Sequence, residues 1–122
     1  MKKMTDHFSV SECTKEILAI SDTMELLSGK WKIQIIGNLL YLGTMRFMEL
    51  KRSLGAIGAK KLSNDLHELE INQLVTRTVK NTKPITVEYE ATPYAQTLKP
   101  LINEISNWGK MHRKTITQNQ KA

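Results

Sequence analysis

A group of polar and basic side chains lies between Lys60 and His67, and its chemistry suits contact with nucleic acid. The group consists of Lys60, Lys61, Ser63, Asn64 and His67. Lysine ammonium groups pair with phosphates, whereas serine, histidine and asparagine side chains can hydrogen bond to base edges. An asparagine amide can pair with adenine through two hydrogen bonds. The alternative is that these residues are only the solvent-exposed face of an amphipathic helix, which this segment alone would favour.

The segment that carries these residues, Gly58 to Leu74, has the leucine spacing of a helix. Leu62, Leu66 and Leu69 recur at steps of four and three, which places them on one narrow stripe. Lys60, Asn64, His67 and Ile71 then lie on the opposite side, with Lys61 and Ser63 on its flanks. We predict a helix whose leucines face the core and whose basic, amide-bearing side faces outward.

A second helix is predicted just before it, because Phe47, Leu50 and Leu54 also recur at helical spacing. The two residues Met45 and Arg46, with Phe47, could form a very short strand ahead of that helix. The turn from Leu54 to Gly58 contains two glycines and is short enough to hold the two helices across one another. A helix-turn-helix unit is the prediction, and an ordinary helical hairpin is the alternative.

After Leu74 the pattern changes to a period of two, which is typical of strands. The alternating residues are Val75, Arg77 and Val79 in the first segment and Ile85, Val87 and Tyr89 in the second. The turn between them carries Lys80 and Lys83 together with Pro84. A helix-turn-helix followed by a basic hairpin is a winged helix, and these lysines lie where a wing would meet the phosphate backbone. The alternative for the hairpin tip is a solvated turn.

Two further helical regions precede the helix-turn-helix. From about Thr14 to Leu27 the apolar spacing suggests one or two short helices, and we favour two because Ser21 or Asp22 could cap an internal start. A central core helix should follow Ser28 and Gly29 and end at Gly43. Its apolar residues are Trp31, Ile35, Ile36, Leu39, Leu40 and Leu42.

A last helix is predicted from Thr92 and Pro93, with a kink or break near Gln96 to Pro100 because proline removes a helical hydrogen bond. Its apolar residues recur at steps of three and four, close to the spacing of a helix-pairing seam. These residues are Leu98, Leu101, Ile105 and Trp108, followed by His112. The seam could form a dimer or could pack onto its own domain.

Length and composition favour one domain with an anionic partner. The chain has 122 residues, 40% of them hydrophobic, with a formal net charge of +6 and a pI near 9.5. We expect a mobile N-terminal arm over residues 1–12, in which Lys2, Lys3 and His7 could touch DNA, a domain over 13–109, and a basic polar tail over 110–122. Neither a signal peptide nor an apolar run long enough to span a membrane is recognisable, so a cytoplasmic address is expected.

The sequence argues against an enzyme or a metal protein. It has three separated histidines and one cysteine, Cys13, and it lacks metal-ligand spacing and a glycine-rich phosphate loop. We therefore predict no cofactor and no metal. A winged helix used only for protein interaction or dimerisation is the competing function, but it leaves the basic residues unexplained.

Taken in order, several stretches of the chain resemble the HxlR family of bacterial winged helix-turn-helix transcriptional regulators. The similarity spans about Cys13 to Gly109. The matching residues are Cys13, Gly29 to Trp31, Arg46, Phe47, Glu49, Leu50, Leu62, Leu66, Leu69, Glu70, Leu74, Val75, Arg77, Val87 to Tyr89, Pro100, Trp108 and Gly109. Gly58 stands where the family often has a capping serine, and Thr86 where it often has a basic wing residue.

The resemblance implies a mainly α protein with a small β-hairpin (α+β), a winged helix-turn-helix with terminal dimerisation helices. It implies a homodimer on inverted-repeat operator DNA, joined through its first and last helices, which would include Ile17 and Leu18. The predicted DNA contacts are Arg46, Lys60, Lys61, Ser63, Asn64, His67, Arg77, Lys80 and Lys83. The family also implies a possible redox sensor at Cys13, for which a buried or incidental cysteine is the alternative. The effector, operator and sign of regulation stay open.

Overall fold

The computed structural model describes residues 10–121, with side-chain burial for residues 10–119, and the chain divides into two compact units between Lys30 and Trp31. In its described part, the first unit contains one helix, α1 (Val10–Leu26). Of the predicted N-terminal arm, residues 1–9, with Lys2, Lys3 and His7, lie outside the described range. Its last three residues belong to α1, which therefore begins before the predicted Thr14.

The predicted division of this region into two helices is wrong, because α1 is continuous. Ser21 and Asp22 lie in its interior, where neither residue interrupts the helix. Residues that favour capping cost only about 0.5 kcal/mol in a helix interior, so they do not end a helix whose backbone bonds continue. The nearby Thr23 hydroxyl donates to the carbonyl oxygen of Ala19 at 2.9 Å, one turn back.

The second unit contains the remaining elements. In chain order they are α2 (Lys32–Leu42), β1 (Met45–Arg46), α3 (Phe47–Leu54), α4 (Ala59–Ile71), β2 (Val75–Lys80), β3 (Thr86–Ala91), a short 3-10 helix (Ala95–Leu98) and α5 (Lys99–Lys121). The predicted fold class, mainly α with a small antiparallel hairpin, is confirmed. Within the described range, no helix is both long and apolar enough to cross a membrane.

The core of this unit forms around α2, which packs against α3, α4, α5 and β3. Ile35, Ile36 and Leu39 are buried, as their spacing predicted. Leu42 is 65% exposed, contrary to prediction, because it is the last residue before the chain turns away at Gly43. Gly43 has a φ of 85°, a conformation that glycine adopts without the steric cost of a Cβ.

The predicted helix-turn-helix consists of α3, a turn and α4. Leu50 of α3 and Ile57 of the turn are fully or almost fully buried. The turn begins at Gly55, whose φ of 83° ends α3. These buried contacts on both sides of the turn hold α3 and α4 in one structural unit.

The sheet has the strand order β1-β3-β2, and both pairings are antiparallel. Strands β2 and β3 pair along their whole length, from Val75 opposite Ala91 to Lys80 opposite Thr86. Strand β1 adds only two pairs, at the far side of β3. We call β2, β3 and the turn between them the wing.

The region after the wing begins as predicted and ends differently. The Thr92 hydroxyl accepts a hydrogen bond from the Ala95 backbone N–H at 3.0 Å and donates to the Gln73 carbonyl oxygen at 2.7 Å. The predicted break is present, because the 3-10 helix gives way to α5 at Lys99, and Pro100 occupies the first turn of α5, where no N–H is needed. The predicted polar tail is helical up to Lys121.

Candidate nucleic-acid interface

The helix α4 presents one side to the core and the other to solvent, as its leucine spacing predicted. Leu62, Leu66 and Leu69 are almost fully buried. The exposed residues include five predicted to contact DNA, namely Lys60, Lys61, Ser63, Asn64 and His67. Because three large apolar side chains fix α4 on the domain, the exposed side chains project from a rigid support.

A depression of about 210 Å³ joins the exposed side of α4 to the wing. Ser63, Asn64 and His67 line it from α4, while Arg77 lines it from β2 and Tyr89 from β3. The structure thus brings four of the predicted contact residues together. Glu70 also lines the depression and adds one carboxylate to the three nitrogen-bearing side chains there, those of Asn64, His67 and Arg77.

The neighbouring residues Lys60 and Lys61 differ in their surroundings. The Lys61 ammonium lies 3.0 Å from Oδ1 of Asp65, whose side chain is only 3% exposed. The other carboxylate oxygen of Asp65 receives no hydrogen bond from any described residue. Lys60 is exposed, and none of the described carboxylates forms an ion pair with it. Lys60 therefore presents a more available positive charge than Lys61.

Sequence reasoning missed Asp65, although a signal was present. Asp65 follows Leu62 by three residues and precedes Leu69 by four, so helical spacing alone places its carboxylate on the buried stripe. A buried carboxylate needs a counter-charge, and Lys61 is one turn back at the favourable spacing for an ion pair.

A second ion pair anchors α4 to α2. The buried Lys32 ammonium contacts the Glu68 carboxylate, whose side chain remains exposed. The hydrogen bond from Lys32, and then its positive charge, hold the pKa of the Glu68 carboxyl below its ordinary value. This ion pair was also missed, because no local spacing connects residues that lie 36 positions apart.

The tip of the wing carries the predicted lysines without burying them. Lys80 lies 3.5 Å from the Glu88 carboxylate across the hairpin, and Lys83 is exposed in the turn. The turn is ordered locally by the Thr82 hydroxyl, which donates to the Pro84 carbonyl oxygen at 2.7 Å. The wing residues Val79 and Ile85 are also exposed, so the apolar residues of the alternating pattern are not buried near the tip.

Arg46 lies at the start of the helix-turn-helix, immediately before α3. Its backbone N–H donates to Oε1 of Glu49 at 2.8 Å, which caps the first turn of α3. The Arg46 side chain is exposed and pairs with none of the described carboxylates. The structure places it on β1, away from the depression beside Asn64.

The predicted dimer residues of α5 form an incompletely covered stripe. Leu101, Ile105 and Trp108 are exposed, while Leu98 is half-buried. The Trp108 ring stacks on His112 with centroids 4.8 Å apart. Ile102, which was not singled out, is the one buried residue of α5 among those whose burial is described, and it packs opposite Gly37 of α2.

In the first unit, α1 has no buried residue. Its exposed apolar side chains include the predicted Ile17 and Leu18, as well as Ile20 and Met24. Cys13, a free and half-buried cysteine, also lies on this helix. An amphipathic helix of this kind usually gains its stability by packing its apolar residues against another surface.

The geometry described above agrees with the comparisons to known proteins. Residues 26–117 match the family model described as HxlR-like helix-turn-helix. The chain is 41% identical over 106 residues to the uncharacterized HTH-type transcriptional regulator BH0655 of Halalkalibacterium halodurans, covering 83% of this chain and 94% of that protein. It is 37% identical over 99 residues to the uncharacterized HTH-type transcriptional regulator YdzF of Bacillus subtilis, covering 81% and 91%.

A solved structure is also similar to this chain. The redox regulator HypR in its reduced form superimposes with a TM-score of 0.75 at 30% identity, covering 82% of this chain and 98% of that chain. Among the described residues, no group of three or more His, Cys, Asp or Glu side chains is placed to hold a metal ion.

Proposed function

The chain belongs to the HxlR-like helix-turn-helix family of DNA-binding transcriptional regulators, and we propose that it binds an inverted-repeat operator as a homodimer through α4 and the wing. The observation that carries this proposal is the depression shared by Ser63, Asn64, His67 and Arg77. A winged helix used only as an interaction module would not require polar and basic side chains to converge there. Binding to operator DNA also implies a cytoplasmic location.

In this proposal α4 enters the major groove. Asn64 reads a base, because its amide is exposed on a helix whose opposite side is fixed in the core. Lys60, Ser63 and His67 contact neighbouring base edges or phosphates. Lys61 adds positive charge to the same surface while it pairs with Asp65. Arg46 and Arg77 contact phosphates beside the groove, while Lys80 and Lys83 reach the flanking backbone or the minor groove.

The experiment that tests base reading compares Asn64→Ala with Asn103→Ala. Asn103 is an exposed amide on α5, on the side opposite its apolar stripe, so it is the matched control. We expect Asn64→Ala to lose about 1 to 3 kcal/mol of discrimination between operator and random duplex, while Asn103→Ala loses none. Affinities should be measured by fluorescence anisotropy over a salt series. An equal loss on operator and random duplex would contradict the assignment of Asn64 to a base.

The dimer is proposed from the uncovered apolar residues of α1 and α5. Each helix leaves a set of large apolar side chains in solvent, which a second copy could cover. A twofold axis would then place the two α4 helices on half-sites about 10 to 10.5 base pairs apart, centre to centre. We expect Ile105→Glu to halve the mass measured by light scattering, while Asn103→Glu leaves it unchanged. An unaltered dimer in Ile105→Glu would exclude the α5 stripe from the interface.

A response to thiol-reactive compounds is the second proposal, and it depends on Cys13. The thiol is free and half-exposed, and HypR, which resembles this chain, is named a redox regulator. We expect diamide or a quinone to release the wild-type protein from its operator and to leave Cys13→Ser bound. Equal release of both proteins would identify Cys13 as a structural residue.

A further inference from the structure

A second cavity lies on the other side of β3 from the depression described above, where the chain leaves the sheet to begin α3. Strand β1 ends at Arg46, opposite Glu88, so the next residues of β3, Val87 and Thr86, have no strand partner on that side. The chain turns into α3 at Phe47 instead. The space left between α3 and Thr86 and Val87, the first residues of β3 after the wing turn, has a volume of about 490 Å³.

The lining of this cavity combines apolar surface with positive charge. Phe47, Met48 and Val87 supply apolar surface, and Arg46 and Arg52 each supply a guanidinium. The positions of Met48 and Arg52 differ by four, so both side chains lie on one side of α3. Neither guanidinium forms an ion pair with a described carboxylate.

The charge of the lining limits the ligand. Glu49 also lines the cavity, and one of its oxygens accepts the Arg46 backbone N–H at 2.8 Å. Two guanidiniums and one carboxylate leave a net charge of one positive unit. A dianionic phosphate would be repelled by Glu49 and would leave the apolar residues Phe47, Met48 and Val87 without contact. A carboxylate attached to an apolar ring or branched chain complements both parts of the lining.

We propose that the cavity between α3 and the first residues of β3 binds a small organic monoanion with an apolar body, such as an aromatic carboxylate. Arg52 pairs with the carboxylate, and Met48 and Val87 contact the apolar body. The cavity is a groove that is open to solvent, and its volume lies within the range of about 300 to 1,000 Å³ found for small-molecule sites. None of the α4 residues proposed to enter the major groove lines this cavity, although Arg46 also belongs to the proposed phosphate contacts, and occupancy of the cavity can be measured without DNA.

The test is calorimetric titration of the full chain with naphthoate as the probe, compared with uncharged naphthamide and with inorganic phosphate. We expect naphthoate to bind with a Kd of about 1 mM or tighter. Arg52→Gln should weaken naphthoate binding about 10-fold or more through loss of the charged hydrogen bond. Met48→Ala should weaken it by a smaller factor. The control is Arg113→Gln, which removes an exposed arginine from α5 and should leave binding unchanged.

Three outcomes would overturn the proposal. Equal binding of naphthoate and naphthamide would show that the guanidiniums are not used. Equal naphthoate binding by wild type, Arg52→Gln and Met48→Ala would locate the ligand elsewhere. If naphthoate does not bind, and Arg52→Gln instead weakens binding to random duplex DNA with a flatter salt dependence, then the cavity is part of the phosphate-contacting surface.

Discussion

The helix α4 and the wing both carry lysines proposed to contact DNA, but the two regions are held in different ways. The inner side of α4 is buried through Leu62, Leu66 and Leu69, whereas Val75 is the only described residue of β2 that is buried. Reading a base requires a side chain fixed to within a fraction of an ångström, while a phosphate can be contacted by a flexible lysine. We therefore propose that α4 supplies specificity and that the wing supplies general affinity.

The largest effect should come from the core side of α4. Leu66→Ala should destabilise the protein by about 2 to 5 kcal/mol, because Leu66 is almost fully buried and truncation leaves a cavity. Val79→Ala in the wing should change stability by less than about 0.5 kcal/mol, since Val79 is 52% exposed. Urea unfolding followed by circular dichroism measures both. Similar losses in the two variants would remove the distinction between a rigid helix and a loosely held wing.

The second prediction separates the two adjacent lysines of α4. Lys61→Met should cost about 1 to 3 kcal/mol of stability, because it leaves the buried Asp65 carboxylate without its ion-pair partner. Lys60→Met should leave stability unchanged and should weaken DNA binding more than Lys61→Met does at equal fraction folded. Urea unfolding and binding to random duplex are the two measurements.

A double variant tests whether Asp65 is the cause. If the stability loss in Lys61→Met arises from the orphaned carboxylate, then replacing Asp65 by Asn in the same chain should recover part of it. A loss that is identical with and without the Asp65 change would mean that Lys61 stabilises the helix in some other way.

The third prediction concerns the tip of the wing. Lys83→Met should weaken binding to all duplexes alike and should flatten the salt dependence by a slope of about 0.9, as expected for one lost phosphate contact. Lys80→Met should have a smaller effect, because Glu88 already lies 3.5 Å from the Lys80 ammonium. If the loss of binding in Lys83→Met depended on the operator sequence, the wing would contribute to specificity and not only to general affinity.

Periodicity predicted the parts of the fold in which one side of an element is buried. The leucines of α4 and, in β3, Tyr89 and Ala91 are such cases, because burial imposes a repeat of 3.6 or 2 on the sequence. In β2 the alternation located the strand although Val75 is its only buried described residue. The prediction of two helices with a break at Ser21 or Asp22 was wrong because capping residues permit a helix to start without forcing it to do so. The predicted burial of Leu42 was wrong because a repeat does not show where the last turn of a helix leaves the core.

The candidate site was less accessible to sequence reasoning than the fold. The basic and amide residues of α4 could be identified from their spacing, but their grouping with Arg77 depends on how α4 packs beside β2. The unequal availability of Lys60 and Lys61 depends on one buried carboxylate. Such properties arise from tertiary contacts, which a local pattern does not contain.

The smallest predicted effect concerns the ion pair between Lys32 of α2 and the exposed Glu68 of α4. Lys32 lowers the pKa of Glu68 in the folded state, so the ion pair stabilises the protein above the unfolded pKa of that carboxyl, and this contribution is lost as pH falls through the lower folded pKa. Glu68→Gln should therefore be less stable than wild type near pH 7, and the difference should shrink below about pH 4.

Glu70→Gln, at an exposed carboxylate two residues away, is the control and should show no such convergence. Because Glu68 itself is exposed to solvent, the difference should be smaller than that of Lys61→Met. A Glu68→Gln difference that persisted unchanged in acid would show that the contact with Lys32 is not ionic, and the attachment of α4 would then rest on its leucines alone.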